Sequence, residues 1–171
     1  EDHFVDLHKR CEMSNAWRAT VFISIHCNAH GKREIEGYQL YRQSPSVSFK
    51  ARADDVRNRF PLPQYTPIPK MNEQLNFSNH EKLFQWKDRE STTLSGTIHR
   101  KMQYRQSKVT TEPQKNLCVL RETMAPSVLV EVDFVSNPSV EIKMGLSSWR
   151  EKMAEDIVRG ILSYLGIGPQ S

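Results

Sequence analysis

No stretch of this chain is apolar for the roughly 18 to 20 residues that a bilayer crossing requires, so no membrane span is expected. Cysteine is sparse. Cys11, Cys27 and Cys118 are an odd number with no C-x-x-C spacing, which excludes a disulfide framework and a zinc-finger pattern. Cys11 and Cys118 then read as small core residues. Also missing are an RNP-like aromatic pattern and a basic helix suited to a groove. The net charge of +4 and pI near 9.0 would suit an anionic wall polymer, nucleic acid or membrane surface. Yet Lys9, Arg10, Lys32, Arg33, Arg57, Arg59, Arg100, Lys101 and Arg105 are scattered among acids, as on a solvated surface, and no nucleic-acid partner is expected. The opening EDHFVDLHKR has neither a basic n-region nor an apolar h-region, and no methionine, so the start of the protein is expected upstream. No internal repeat or low-complexity tract is present.

What remains is a globular composition, 37% hydrophobic and 26% charged, long enough for one domain with a real core. Phe4, Leu7, Cys11 and Trp17 stand near helical spacing over 3–17. In 21–26, Val21, Ile23 and Ile25 alternate with Phe22, Ser24 and His26, the period of a strand, before a turn through Asn28, His30 and Gly31. Residues 35–41, IEGYQLY, read as a second strand. From about 46 to 89 proline recurs at 61, 63, 67 and 69 and periodicity weakens; this reads as an insertion, loosely packed, with one helix near 47–59 and proteolysis expected first at 61–69. Helical patterning returns at 80–105, and a short apolar patch runs from Leu117 to Leu120.

Val128 to Val135 is nearly all apolar, as in a central parallel strand, but is interrupted by Glu131 and Asp133 on one face. Ser148 and Glu151 form a capping-box pattern before a helix whose stripe is Trp149, Met153, Ile157, Ile161 and Leu165, with Gly166 as its C-cap. Strands alternating with helices predict an α/β fold: a mostly parallel twisted sheet flanked by helices, with 21–26 and 128–133 as interior strands. His26 and Glu131 would then meet at the C-terminal edge of that sheet. There a neutral imidazole can hold Zn²⁺ while a carboxylate takes a proton from the metal's water.

FVDLHKRCEMSNAWRATVFISIHCNA, EGYQLYRQSPS and NLCVLRETMAPSVLVEVDFVSNPSVE together resemble the zinc-dependent N-acetylmuramoyl-L-alanine amidases of the amidase-3 type. Those enzymes hydrolyse the bond between muramic acid and the stem peptide of peptidoglycan. The resemblance covers 1–45 and about 90–166, and its specific parts are SIHCNA with VLVEVDFVSNP. It implies a phosphorylase/hydrolase-like α/β fold, a single amidase-like catalytic domain over 1–171, His26 as a zinc ligand and Glu131 as the general base. It further implies a periplasmic or extracellular wall location and a peptidoglycan substrate.

The family's Gly-His-Gly histidine and helix-borne glutamate lie upstream of the region matching residue 1, so the domain reads as N-terminally incomplete. His3, His8, His30, His80 and His99 do not match those positions. One imidazole alone is expected to bind zinc weakly, with His30 and Asp133 the first residues to test should zinc bind tightly. Asp133 replaces the family's usual small residue, and its charge is expected to raise the Glu131 pKa. The 46–89 insertion falls where some members carry a blocking helix removed by an activator or regulator; Glu73, Glu81 and Glu90 could supply its carboxylate. The alternative reading is an inactive amidase-like module that binds peptidoglycan without a full zinc site.

Overall fold

Val128, Val130 and Val132 pack to one side of their strand while Leu129 packs to the other, and that alternation organises the molecule. The structure, a computed structural model, describes residues 3–43, 48–62, 77–103, 113–114 and 117–168. The chain runs α1 (Leu7–Ala16), β1 (Phe22–Asn28), β2 (Gln39–Gln43), α2 (Phe49–Arg57), α3 (His80–Met102), β3 (Pro113–Gln114), α4 (Cys118–Glu122), β4 (Ser127–Phe134), α5 (Pro138–Gly145) and α6 (Ser147–Leu165). The sheet order is β1-β4-β2-β3. Helices α3 and α6 cover the valine face; α1 and α4 cover the face of Leu129. This is the expected α/β sheet flanked by helices.

Two of its pairings, β1 with β4 and β2 with β3, are parallel, and β2 runs antiparallel to β4. Strand β4 is interior as expected. Strand β1 is not: among the described residues it is an edge strand, and Ile25 on it is 59% exposed. The reason is cover. Helix α3 packs on β4 and β2 and stops short of β1, so Ile25 and Cys27 border an open apolar cleft of about 210 Å³ against Trp149, Met153 and Ile157 of α6.

Helix α1 starts later than the 3–17 pattern because the Asp6 carboxylate caps it, accepting from His8 N at 2.9 Å. Of its expected stripe only Cys11 is buried; Phe4, Leu7 and Trp17 are exposed. Helix α6 buries its stripe as expected and ends at Gly166 in the left-handed region, φ 74°, where glycine carries no Cβ penalty. Its start differs from the capping box. Asn137 caps an additional helix, α5, with Pro138 in its first turn, and α6 follows so closely that Leu146 is the N-cap and Ser148 lies inside. Arg150 Nη1 instead ties the two helices by donating to Met144 O and Gly145 O.

The α3–α6 crossing is tight at Gly160, where a Cβ would stand 2.5 Å from Ile98 Cα. Gly160→Ala is expected to force the helices apart and lower the melting temperature by about 3 to 10 °C in a calorimetric or circular-dichroism melt. An unchanged melt would show that the crossing relaxes freely.

Helix α2 occupies the interval read as a loose insertion, with Ser48 Oγ accepting from Ala51 N at its start. It is firmly packed. The fully buried Arg52 lies 4.4 Å over the Phe84 ring and makes a bidentate pair with Asp88 of α3, at 2.7 and 2.9 Å. Residues 80–89 of the same interval are the first ten of α3 and include the core residues Leu83, Phe84 and Trp86. The proline-rich run beyond Leu62, with Glu73, lies outside the described residues.

Candidate active site

Both strand ends singled out in the sequence arrive together. In the parallel β1–β4 pair His26 stands directly opposite Glu131, and beyond it the ladder shifts register before Asn28. Glu131 points away from Val130 and Val132, so it lies on the α1/α4 face. Those helices clamp the beginning of β4: Asn15 of α1 donates to Glu122 O and accepts from Met124 N, at 3.0 and 2.8 Å. Cover is gone by the strand's end, leaving His26 exposed and Glu131 half-buried. The site is an open rim. A wider cleft, about 460 Å³, lies elsewhere, between α1 and β1, lined by Met13, Trp17 and Phe22.

The charge on Glu131 is incompletely compensated. Its Oε2 is buried and has no hydrogen-bond partner. Burial pushes the carboxyl pKa up, and the nearby His26 offsets part of that rise. Asp133 plays no part in the shift, against the sequence expectation. Its Oδ1 accepts instead from Gly37 N at 2.7 Å and Phe134 N at 2.9 Å, tying down the turn before β2. Gly37 has φ 109°, a conformation other residues rarely adopt, and this presents its N–H to Asp133.

Three residues join the site that sequence reasoning had not assigned. Gln39 of β2 is the antiparallel register partner of Glu131. Its Oε1 accepts from Asn28 Nδ2 at 2.7 Å and from the Tyr41 hydroxyl at 2.6 Å, which fixes the amide with its NH₂ outward. Asn28 was visible in SIHCNA and Gln39 in EGYQLY, but nothing local pairs them. The Ser24 hydroxyl lies 2.8 Å from His26 Nε2 and orients the ring.

The other histidines are engaged elsewhere. His30 Nδ1 accepts from Lys32 N, His80 Nε2 pairs with Phe60 O, and His99 Nδ1 with the Tyr38 hydroxyl. Glu90 accepts from Tyr164, and it sits with Glu81 on the half of α3 beside α2 and the start of β4. Helix α2 is therefore at the opposite end of the sheet from His26, which removes it, Glu81 and Glu90 as a block on that site.

As a zinc centre, the rim is half formed. The orphaned Glu131 Oε2 beside an imidazole fits an environment that expects a cation. Among the described residues, however, no set of three histidine, cysteine or acidic side chains gathers around His26. One such set exists at the other end of β4: His8, Cys118 and Glu122, with donor atoms within 4.8 Å of one another. Its chemistry is that of a neutralised ion-pair network. Arg59 and Arg121 hold the two Glu122 oxygens at 2.9 and 2.7 Å, and His8 lies at 2.8 Å. Burial alone would raise this carboxyl, but hydrogen bonds from His8, Arg121 and Arg59 outweigh it and bring the pKa to about 2. The Cys118 thiol is pushed up to about 12, chiefly by burial, so near neutral pH it is overwhelmingly the thiol and a poor metal ligand.

A depressed carboxyl stabilises the fold above its unfolded value near 4.5, and that stability drains as pH falls toward about 2. Glu122→Gln is expected to flatten the acid limb of the stability curve over that window. An acid titration with the same steepness as the parent would show that Glu122 is not the controlling carboxylate.

The Amidase_3 family model, described as N-acetylmuramoyl-L-alanine amidase, matches residues 1–163. The chain is 30% identical to AmiA of Salmonella typhimurium and 28% identical to AmiA of Escherichia coli, each over 95% of its own length and 58% of theirs. It thus spans a little over half of those relatives. Among solved structures, the catalytic domain of CwlV, an amidase from Bacillus (Paenibacillus) polymyxa, superposes with a TM-score of 0.66 at 21% identity, covering 98% of this chain and 70% of that one. The CwlD amidase of Clostridioides difficile, in complex with the GerS lipoprotein, also gives 0.66 at 21% identity, covering 94% and 61%. AmiC2 of Nostoc punctiforme gives 0.58 at 25% identity, covering 96% and 68%.

Proposed function

The chain belongs to the Amidase_3 family of N-acetylmuramoyl-L-alanine amidases, and from that premise we propose that it serves peptidoglycan hydrolysis, cleaving the amide between N-acetylmuramic acid and the L-alanine of the stem peptide. The observation that carries this reading is the His26–Glu131 register pair with its orphaned carboxylate oxygen. Zn²⁺, when bound, would acidify a water and polarise the scissile carbonyl. His26 is the imidazole this chain offers to it. Glu131 is the base, its carboxylate taking the water proton and returning it to the leaving nitrogen; its raised pKa suits both halves of that transfer. Gln39 presents its fixed NH₂ across the same rim, where it can orient the substrate amide. A wall-facing location, periplasmic or extracellular, follows from the substrate.

The single imidazole favours a second reading, a module that holds the wall polymer without cleaving it. Incubation of the zinc-supplemented protein with purified peptidoglycan separates the two. Hydrolysis releases new L-alanine amino termini and is abolished by a chelator. Co-sedimentation with sacculi and no new amino termini would establish the binding module instead. A protein regulator acting on the 46–89 region would meet it at α2, remote from His26. Its effect would then travel through the α2–α3 packing rather than by unblocking the rim.

A further inference from the structure

Helices α1 and α4 meet through two cysteines that the site does not use. Cys11, fully buried, directs its thiol at Leu7 O and at Cys118 O, at 3.2 and 3.7 Å. Cys118, half-buried, sets its sulfur 3.6 Å from Nδ1 of His8, one turn before Cys11 on the same helix. Cys118 therefore lies over the α1 turn that carries both residues. The spacing is held from the other side by Asn15, which bonds the Glu122 carbonyl and the Met124 amide. The Cys11 sulfur thus sits against the backbone of Cys118, and neither cysteine is engaged in a disulfide here.

We propose that Cys11 and Cys118 are a disulfide-forming pair that staples α1 to α4. The step is thiol–disulfide exchange with a small-molecule disulfide. Cys118, the more accessible sulfur, gives up its proton to solvent, and its small thiolate fraction attacks the oxidant. One thiolate leaves, and a mixed disulfide remains on Cys118. The Cys11 sulfur then displaces the second thiolate. Two protein thiols lose two electrons and two protons, and one small disulfide becomes two thiols.

Burial shapes the outcome. Burial raises both thiols, so the reduced pair gains no thiolate stabilisation that would oppose oxidation. Cys27 offers the contrast, being exposed and part of β1. The bridge would close 107 residues of chain and hold α1 against the start of β4. Its relevance in the cell rests on the proposed wall-facing location, where thiols meet an oxidising environment. The chemistry itself can be tested without that reading, and without amidase activity.

The test is to equilibrate the purified protein with oxidised and reduced glutathione at a ratio favouring oxidation, block free thiols under denaturing conditions, and map the peptides by mass spectrometry. The expected result is one peptide pair joined through Cys11 and Cys118, about 2 Da lighter than the two thiols, with Cys27 unlinked or as a glutathione adduct. The oxidised protein should also melt about 5 to 15 °C above the reduced one, a difference that Cys118→Ser abolishes. Recovery of both cysteines as blocked thiols overturns the proposal, as does a bridge that uses Cys27. A bridged protein that melts with the reduced form overturns the staple.

Discussion

Glu131→Gln is expected to lower turnover of purified peptidoglycan by roughly 10² to 10⁴, the usual worth of a positioned acid–base group, while leaving the fold intact. Glutamine keeps the shape but cannot take the water proton. Glu131 Oε2 is buried and unpartnered, so the substitution also removes an uncompensated charge, and the melting temperature should hold or rise. The pH dependence has a definite sign. Because the folded pKa of Glu131 is raised, folding favours its protonated form: its contribution is fully present below the unfolded value and is lost as pH rises through the folded one. Glu131→Gln should erase that loss. His26→Ala should behave differently, losing zinc affinity together with activity. If Glu131→Gln instead melts several degrees lower and turns over normally per folded molecule, Glu131 is a structural ion-pair partner and the assignment of the base fails.

Asp88→Ala should have the largest effect on stability. It strips the bidentate partner from Arg52, whose guanidinium is completely buried, whereas Asp88 itself is 18% exposed. Breaking a buried pair from one side costs about 3 to 5 kcal/mol, which for a domain of this size is a melting temperature lower by about 8 to 15 °C. Pairing Asp88→Ala with Arg52→Met, which fills the same space over Phe84 without charge, should recover most of the loss. A shift under about 3 °C for the single variant would mean that α2 is only lightly attached and that the 46–89 region can be displaced as a flap.

The parts of this molecule legible in its sequence are those with a local signature. Alternation of valine with carboxylate marked β4 and placed Glu131 and Asp133 on its minority face. The alternation into S-I-H marked β1, which runs two residues further, to Asn28; the i, i+4 stripe marked α6, and Gly166 marked its left-handed end. Helix α5 was announced by Asn137 and Pro138, a cap followed by a first-turn proline, and passed unread because eight residues show little stripe. The helix expected near 47–59 is present as α2, but its tight hold on the core rests on one arginine whose partner lies 36 residues away, which no local pattern announces.

That last case states the general limit. Periodicity, caps and turn residues act between neighbours within a few positions, so His26 and Glu131 could each be found as a polar interruption of an apolar strand pattern. Which strands lie side by side is decided by long-range packing. The edge position of β1, the antiparallel approach of β2 that sets Gln39 opposite Glu131, and the meeting of Cys11 with Cys118 all depend on residues far apart in the chain. No local preference encodes those contacts, because their free energy exists only once helices and sheet have closed on each other and excluded water between them.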